Sequence, residues 1–212
     1  MKKMHKRAMA LCLTAALCSG LFAGCGGEKN TAETQQATEA QAADVQTESS
    51  DIYVEKIDGI SDDFIRGMDA SEVLSLENSG VKYYDYDGNE QDIFKTLADS
   101  GVNYIRLRVW NDPYDKDGNG YGGGNCDLNM AVELGKRATK YGMKVNIDFH
   151  YSDFWADPKR QNCPKAWEGM DLEQKKEALY QFTKDSLNTL LDAGVDVEMV
   201  QIGNEINYGL AG

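Results

Sequence analysis

From about residue 60 onward, apolar positions follow two alternating rhythms. Short runs rich in β-branched, aromatic and aliphatic residues stand at 64–68, 103–109, 144–149 and 197–202, and each predicts a strand. Their mostly continuous apolar character suits parallel strands covered by helices rather than strands with one wet face. Between them, helical periodicity predicts helices at about 90–100, 128–141 and 171–193. The last begins with Asp171 as a candidate N-cap and Gln174 at the capping-box position, and carries Leu172, Leu179, Phe182, Leu187 and Leu190 on or near one stripe. Gly101, Gly142 and Gly194 each fall between a helix end and a strand start, where glycine accepts the left-handed conformation that closes a helix. The intervals between these glycines, 41 and 52 residues, leave room for a strand, a loop and a helix. Strict alternation of four strands with at least three helices predicts an α/β fold, either doubly wound or a (β/α)8 TIM barrel.

The N-terminal 57 residues follow neither rhythm. MKKMHKR is basic, AMALCLTAALCSGLFAG is apolar, and together they make a secretory signal over residues 1–24. The apolar run is too short, and too near a cleavage site, for a membrane span. Phe22-Ala23-Gly24-Cys25 resembles a bacterial lipobox with Phe in place of the usual Leu, so Cys25 is the expected lipidation site and the protein's membrane anchor. Plain secretion is the alternative. Residues 25–57, rich in Ala, Gln, Thr, Glu and Ser, cannot bury enough surface to offset their ordering entropy and are expected to form a disordered acidic tether. The domain of interest is therefore 58–212, in an exported protein held at the cell surface.

Charge narrows the partners. The formal net charge of the 212 residues is -13, and loss of Lys2, Lys3, Lys6 and Arg7 with the signal makes it -17, which argues against nucleic acid. Two of five cysteines, Cys12 and Cys18, leave with the signal. Cys126 and Cys163 remain, as two free thiols or as one disulfide, and spacing does not decide between them.

In both candidate architectures ligands bind at the carboxyl ends of the strands. Those ends read Arg66-Gly67-Met68-Asp69, Arg106-Leu107-Arg108-Val109-Trp110-Asn111, Asp148-Phe149-His150-Tyr151 and Asn204-Glu205. Charged, amide and aromatic groups recur at all four, which a single satisfied Arg–Asp pair would not explain. A G-x-S-x-G elbow, a P-loop and a Rossmann glycine fingerprint are missing from the sequence, so no phosphate-bearing cofactor is expected. His5 leaves with the signal and His150 stands alone, which excludes zinc sites built on several histidines. Residues 115–121 match the first half of an EF-hand loop, but Cys126 occupies the position of the bidentate Glu, so no metal is expected there. Carboxylates remain. Glycosidic cleavage needs two, one to protonate the leaving oxygen and one to attack or to activate water, and Glu205 suits the first role. Asn204 beside it suits a sugar hydroxyl, while Trp110, Trp155 and Tyr151 offer faces for sugar rings.

Phe64-Ile65-Arg66-Gly67-Met68-Asp69, Asn103-Tyr104-Ile105-Arg106-Leu107-Arg108-Val109-Trp110, Asp148-Phe149-His150-Tyr151-Ser152-Asp153-Phe154-Trp155-Ala156-Asp157-Pro158 and Ile202-Gly203-Asn204-Glu205-Ile206 together resemble glycoside hydrolase family 53. That family contains the retaining endo-β-1,4-galactanases, or arabinogalactan endo-β-1,4-galactosidases. The resemblance covers roughly residues 60–212. It implies that Glu205 is the general acid/base, Asn204 its companion amide, Arg106 an arginine orienting the catalytic carboxylates, and His150 a residue of the same cleft. Asp69, Trp110, Asp148, Trp155 and Asp157 fall where the family lines its substrate cleft, the expected partner being β-1,4-galactan. Asp153 reads equally well as a loop or cap residue. The family's nucleophile is a second glutamate at the end of strand seven, whereas four strands are legible here, and a barrel takes about 250 residues. The resemblance therefore implies that the chain carries about the first half, strands 1–4, and on its own lacks both stability and activity.

Two other classes fit part of the pattern. A sugar-binding lipoprotein of an importer explains the signal, tether and aromatics, but not Asn204-Glu205 on a strand end with Arg106 and His150 on preceding ones. Another retaining β-glycanase of the same clan, such as a mannanase or cellulase, shares the acid/base logic.

Overall fold

A computed structural model describes residue 55 and residues 57–212; the signal, Cys25 and the tether up to residue 54 lie outside the described residues. The elements run β1 (Gly67–Asp69), α1 (Val73–Asn78), α2 (Ile93–Asp99), β2 (Tyr104–Val109), α3 (Leu128–Lys140), β3 (Lys144–Phe149), a 3-10 turn (Lys165–Trp167), α4 (Leu172–Asp192) and β4 (Val197–Ile202). The strands form one sheet in the order β1-β2-β3-β4, and all pairings are parallel. A doubly wound sheet would reverse its order at a switch point. Strictly sequential order is the winding of a barrel, and the sheet is its first four strands.

Parity along the strands separates two faces. Ile105, Leu107 and Val109 of β2 and Val145, Ile147 and Phe149 of β3 are fully buried and pack with Leu134 and Ala138 of α3 and Leu190 of α4. The alternate residues, Tyr104, Arg106, Arg108, Asn146 and Asp148, stand on the opposite face, the one that becomes a barrel's interior. The helices lie where expected, and each of the three long ones starts on an aspartate. Asp92 accepts from the Phe94 amide, Asp127 from Met130, and Asp171 forms the full capping box with Gln174. Gly101, Gly142 and Gly194 have φ of 88°, 74° and 79°, as closing residues in the left-handed region should.

Three details differ from expectation. The first strand is Gly67–Asp69 rather than 64–68, because the Asn103 side chain takes the place of a ladder partner just before it. Its Oδ1 accepts from the Arg66 amide at 2.7 Å and its Nδ2 donates to the Phe64 carbonyl at 2.9 Å. Helix α1 was not anticipated. Leu172 stands exposed at the start of α4, off the buried stripe.

Candidate active site

Arg106 leaves the inner face of β2 and is the hub of the strand ends. One terminal nitrogen donates to Asp69 Oδ2 on β1 at 2.7 Å, and the other to Asp148 Oδ2 on β3 at 2.5 Å and to Asn204 Oδ1 after β4 at 3.1 Å. Its Nε donates to Gln201 of β4 at 3.3 Å. A single planar cation thus ties all four strands, a task for which the fork of five fixed donors is suited and a lysine is not. Asp148 is fully buried, so the guanidinium supplies the countercharge that its burial requires.

Beneath this hub lies His150, also fully buried. Its Nδ1 accepts from the Ala156 amide at 3.1 Å, which leaves the ring proton on Nε2, facing Asp148 Oδ2 at 2.9 Å. That approach is off the hydrogen-bond line, and both Nε2 of His150 and Oδ1 of Asp148 lack an aligned partner among the described residues.

Asn204 is held at both ends. Oδ1 takes the Arg106 proton, Nδ2 donates to the Ala156 carbonyl at 2.8 Å, and Gln161 Nε2 grips its main-chain oxygen at 2.8 Å. One N–H of the amide stays free for a ligand hydroxyl. Glu205 follows with φ of 50°, a left-handed conformation unusual for glutamate, and its exposed carboxylate takes no hydrogen bond from the described residues. Two residues earlier, Gly203 has φ of 84°, in the left-handed region, and a side chain there would collide with Ile206 and lie 2.8 Å from Leu210 Cδ1, so the position suits glycine. Glu205 opens into a cleft of about 540 Å³ whose wall includes Asp69, Glu72, Arg106, Arg108, Trp155 and Asn204. Burial pushes the Asp69 carboxyl upward, but the Ser71 amide and hydroxyl, aided by Arg108 and Arg106, outweigh it and hold Asp69 below its ordinary value. An arginine fixed between two carboxylates, with an exposed glutamate and the Trp155 ring beside it, provides a site for acid–base chemistry on a hydroxylated ligand.

The glycosyl hydrolase family 53 model matches residues 65–212. The chain belongs to that family. Over 164 residues it is 57% identical to the endo-β-1,4-galactanase of Bacillus subtilis, covering 77% of this chain and 38% of that protein. Over 145 residues it is 41% identical to the arabinogalactan endo-β-1,4-galactanase of Humicola insolens, covering 68% of this chain and 41% of that protein. Among solved structures, the Ignisphaera aggregans GH53 catalytic domain superposes with a TM-score of 0.72 at 48% identity, covering 74% of this chain and 44% of that one. The chain thus spans about two fifths of the length of the curated relatives it matches.

Within this family 53 chain, Arg106, Asp69, Asp148, His150 and Asn204 come together in one network, and Glu205 and Trp155 line the cleft beside it. Five residues expected to touch a ligand lie outside the cleft wall. Trp110 and Tyr151 have no exposed surface; Trp110 packs behind Trp155, and Tyr151 bonds Thr183 through its hydroxyl, so neither offers a face to a sugar. His150 and Asp148, both fully buried, sit under the cleft rather than in its wall. Asp157 closes a turn by accepting from the Lys159 amide and the Arg160 side chain, and is not in the cleft wall. Asp153 is the loop tie that the sequence allowed, accepting from the Asp112 and Lys165 amides. Cys126 and Cys163 are free thiols, and burial pushes that of Cys126 up to about 11. In the EF-hand-like loop the Asp115 carboxylate is spent on its own turn, accepting from the amides of Asp117 and Asn119. Residues that sequence reasoning missed are Glu72, Arg108, Gln161 and Gln201. Arg108 and Gln201 carried a signal, since strand parity puts them on the face of Arg106 and Asp148.

Proposed function

We propose that this chain is the N-terminal half of an exported, endo-acting, retaining glycoside hydrolase that cleaves β-1,4-galactosidic bonds in arabinogalactan side chains of pectin. The carrying observation is Glu205, set at the carboxyl end of β4 beside an Asn204 that Arg106 clamps, in a family 53 chain whose curated relatives are named galactanases. Glu205 protonates the glycosidic oxygen as the bond breaks and later deprotonates the attacking water. Asn204 orients a sugar hydroxyl with its free N–H, Trp155 supports a ring, and Arg106 keeps Asp69, Asp148 and Asn204 in register. The attacking carboxylate is the glutamate that the family resemblance assigns to strand seven, beyond β4, so strands β1–β4 do not carry out the reaction by themselves. The signal over residues 1–24, lipidation at Cys25 and the tether over residues 25–57 would hold the enzyme at the membrane surface within reach of polysaccharide.

Release of reducing ends from unbranched β-1,4-galactan by the intact protein, with Glu205→Gln alongside, tests this reading. Turnover by the parent and a loss of about 10²–10⁴-fold in the variant are expected. Sugar binding without turnover in both would favour a binding lipoprotein, and turnover of mannan or cellulose instead would move the enzyme elsewhere in the clan. Clear galactan hydrolysis by the 212-residue chain would overturn the half-barrel clause.

A further inference from the structure

We propose that Arg108 is a positioning residue that holds the Trp155 indole as the ring-stacking wall of the cleft, with Glu72 fixing the guanidinium. The proposal rests on the glycosidase reading above and adds to it the group that sets the affinity for a sugar ring.

Arg108 follows Arg106 by two residues and so shares its face of β2, yet it makes none of the hub's bonds. It is 7% exposed, and its main-chain amide is anchored on the Ser71 hydroxyl at 2.9 Å. Its guanidinium carbon lies 4.1 Å from the centre of the Trp155 ring. One terminal nitrogen donates to Glu72 Oε1 at 3.0 Å and to Cys126 Sγ at 3.8 Å, and the buried Nε has no partner among the described residues. The flat guanidinium covers the ring, whereas Trp110 and His150 meet it only at edges, at interplanar angles of 65° and 63°. On the loop side, a side chain at Gly123 would lie 3.0 Å from Trp155 Nε1, so main chain closes that edge. The indole is therefore fixed on one face and around its rim while lining the cleft that Glu205 enters. A galactopyranose, whose axial O4 leaves a continuous patch of C–H groups on one side of the ring, is a ligand that such a platform suits. A lysine would keep the charge but not the plane, and its more strongly hydrated ammonium would not lie flat on the ring.

The test measures kcat and KM on β-1,4-galactan for the parent enzyme, Arg108→Lys, Glu72→Gln, Trp155→Ala and the Arg108→Lys/Trp155→Ala double variant. Arg108→Lys should raise KM about tenfold and leave kcat within about twofold, and Glu72→Gln should move KM less but in the same direction. The double variant should have the KM of Trp155→Ala, because the arginine acts through the ring. A second readout is acrylamide quenching of the portion of tryptophan emission that Trp155→Phe removes, which should increase in Arg108→Lys. A fall in kcat with KM unmoved, a double variant whose KM effects multiply, or unchanged quenching would overturn the proposal. If the parent releases no sugar from galactan, the galactanase reading fails by itself, and quenching still decides whether Arg108 holds Trp155.

Discussion

Replacing Arg106 by leucine isolates the contribution of the hub to folding. Four hydrogen bonds disappear, to Asp69, Asp148, Asn204 and Gln201, but they are not equivalent. The Asp69 pair is about one third open to solvent on both sides, and exposed pairs contribute about 0–1 kcal/mol. The Asn204 and Gln201 bonds fall in the ordinary range of about 0.5–1.5 kcal/mol each, and water entering the vacated space replaces part of them. Asp148 decides the outcome, because its side chain has no exposed surface and loses the one arginine or lysine that pairs with it among the described residues. Orphaning a buried charge costs about 3–5 kcal/mol, a large part of the 5–15 kcal/mol that separates typical folded and unfolded states. Since Arg106 itself is 30% exposed, the lower end applies, and Arg106→Leu should destabilise by about 3 kcal/mol. The double variant Arg106→Leu/Asp148→Asn removes the orphan and should recover about 1–2 kcal/mol of that loss. Urea unfolding of the intact protein, with m-values compared, gives both numbers. An Arg106→Leu variant within about 1 kcal/mol of the parent, or a double variant less stable than the single one, would refute the idea that Asp148 depends on this cation.

Two further changes probe packing and charge. A methyl group at Gly135 in α3 would lie 2.7 Å from Val195 Cγ1, so Gly135→Ala should cost about 1–2 kcal/mol despite a helix-propensity gain of up to about 1 kcal/mol, and Val195→Ala should relieve part of the clash in a thermal-melt cycle. A Gly135→Ala protein melting above the parent would count against it. Asp69 is held below its ordinary value of 3.8, so its ionised form contributes stability that is complete above that value and lost as pH falls through it toward the folded one. Asp69→Asn should therefore flatten the decline of melting temperature below about pH 4, and an unchanged slope there would contradict the assignment.

What the sequence made legible divides along physical lines. Elements with local signals were readable: Asp171 with Gln174 opens α4, and Gly142 closes α3, because both signals operate within a few residues. Helix α1 has no such signal, since Glu72 at its start makes no side-chain cap bond and six residues give only a fragment of periodicity. The start of β1 was displaced by a contact between residues 37 and 39 positions apart, Asn103 to Arg66 and Phe64, which no local window contains. The strand-end chemistry was readable as a list because parallel strands present their ends on one side. Depth was not. In a barrel strand both faces are buried, so apolar periodicity does not tell the ring that lines a cleft from the ring that supports it. Trp155 and Trp110 differ in that respect, and only their packing reveals it.

The segment Gly203-Asn204-Glu205 joins the local and distant kinds of information. Glycine at 203 is demanded by Ile206 and Leu210, which crowd the place a side chain would take. Gly203, with φ of 84°, turns the main chain as it leaves β4, and Glu205 completes the turn in a left-handed conformation that costs a non-glycine residue roughly 1–3 kcal/mol. Strain of this size persists only where neighbours determine the backbone. Here the neighbours are distant in sequence: Arg106 and Ala156 hold the Asn204 amide from opposite sides, and Gln161 holds its carbonyl. The carboxylate lines the cleft and takes no hydrogen bond from the described residues, which on the proposed glycosidase reading leaves it free to exchange a proton with a ligand. Loosening the clamp should relax the turn before it alters the acid itself, so damage at Gln161 would lower turnover while leaving the chemistry of Glu205 intact.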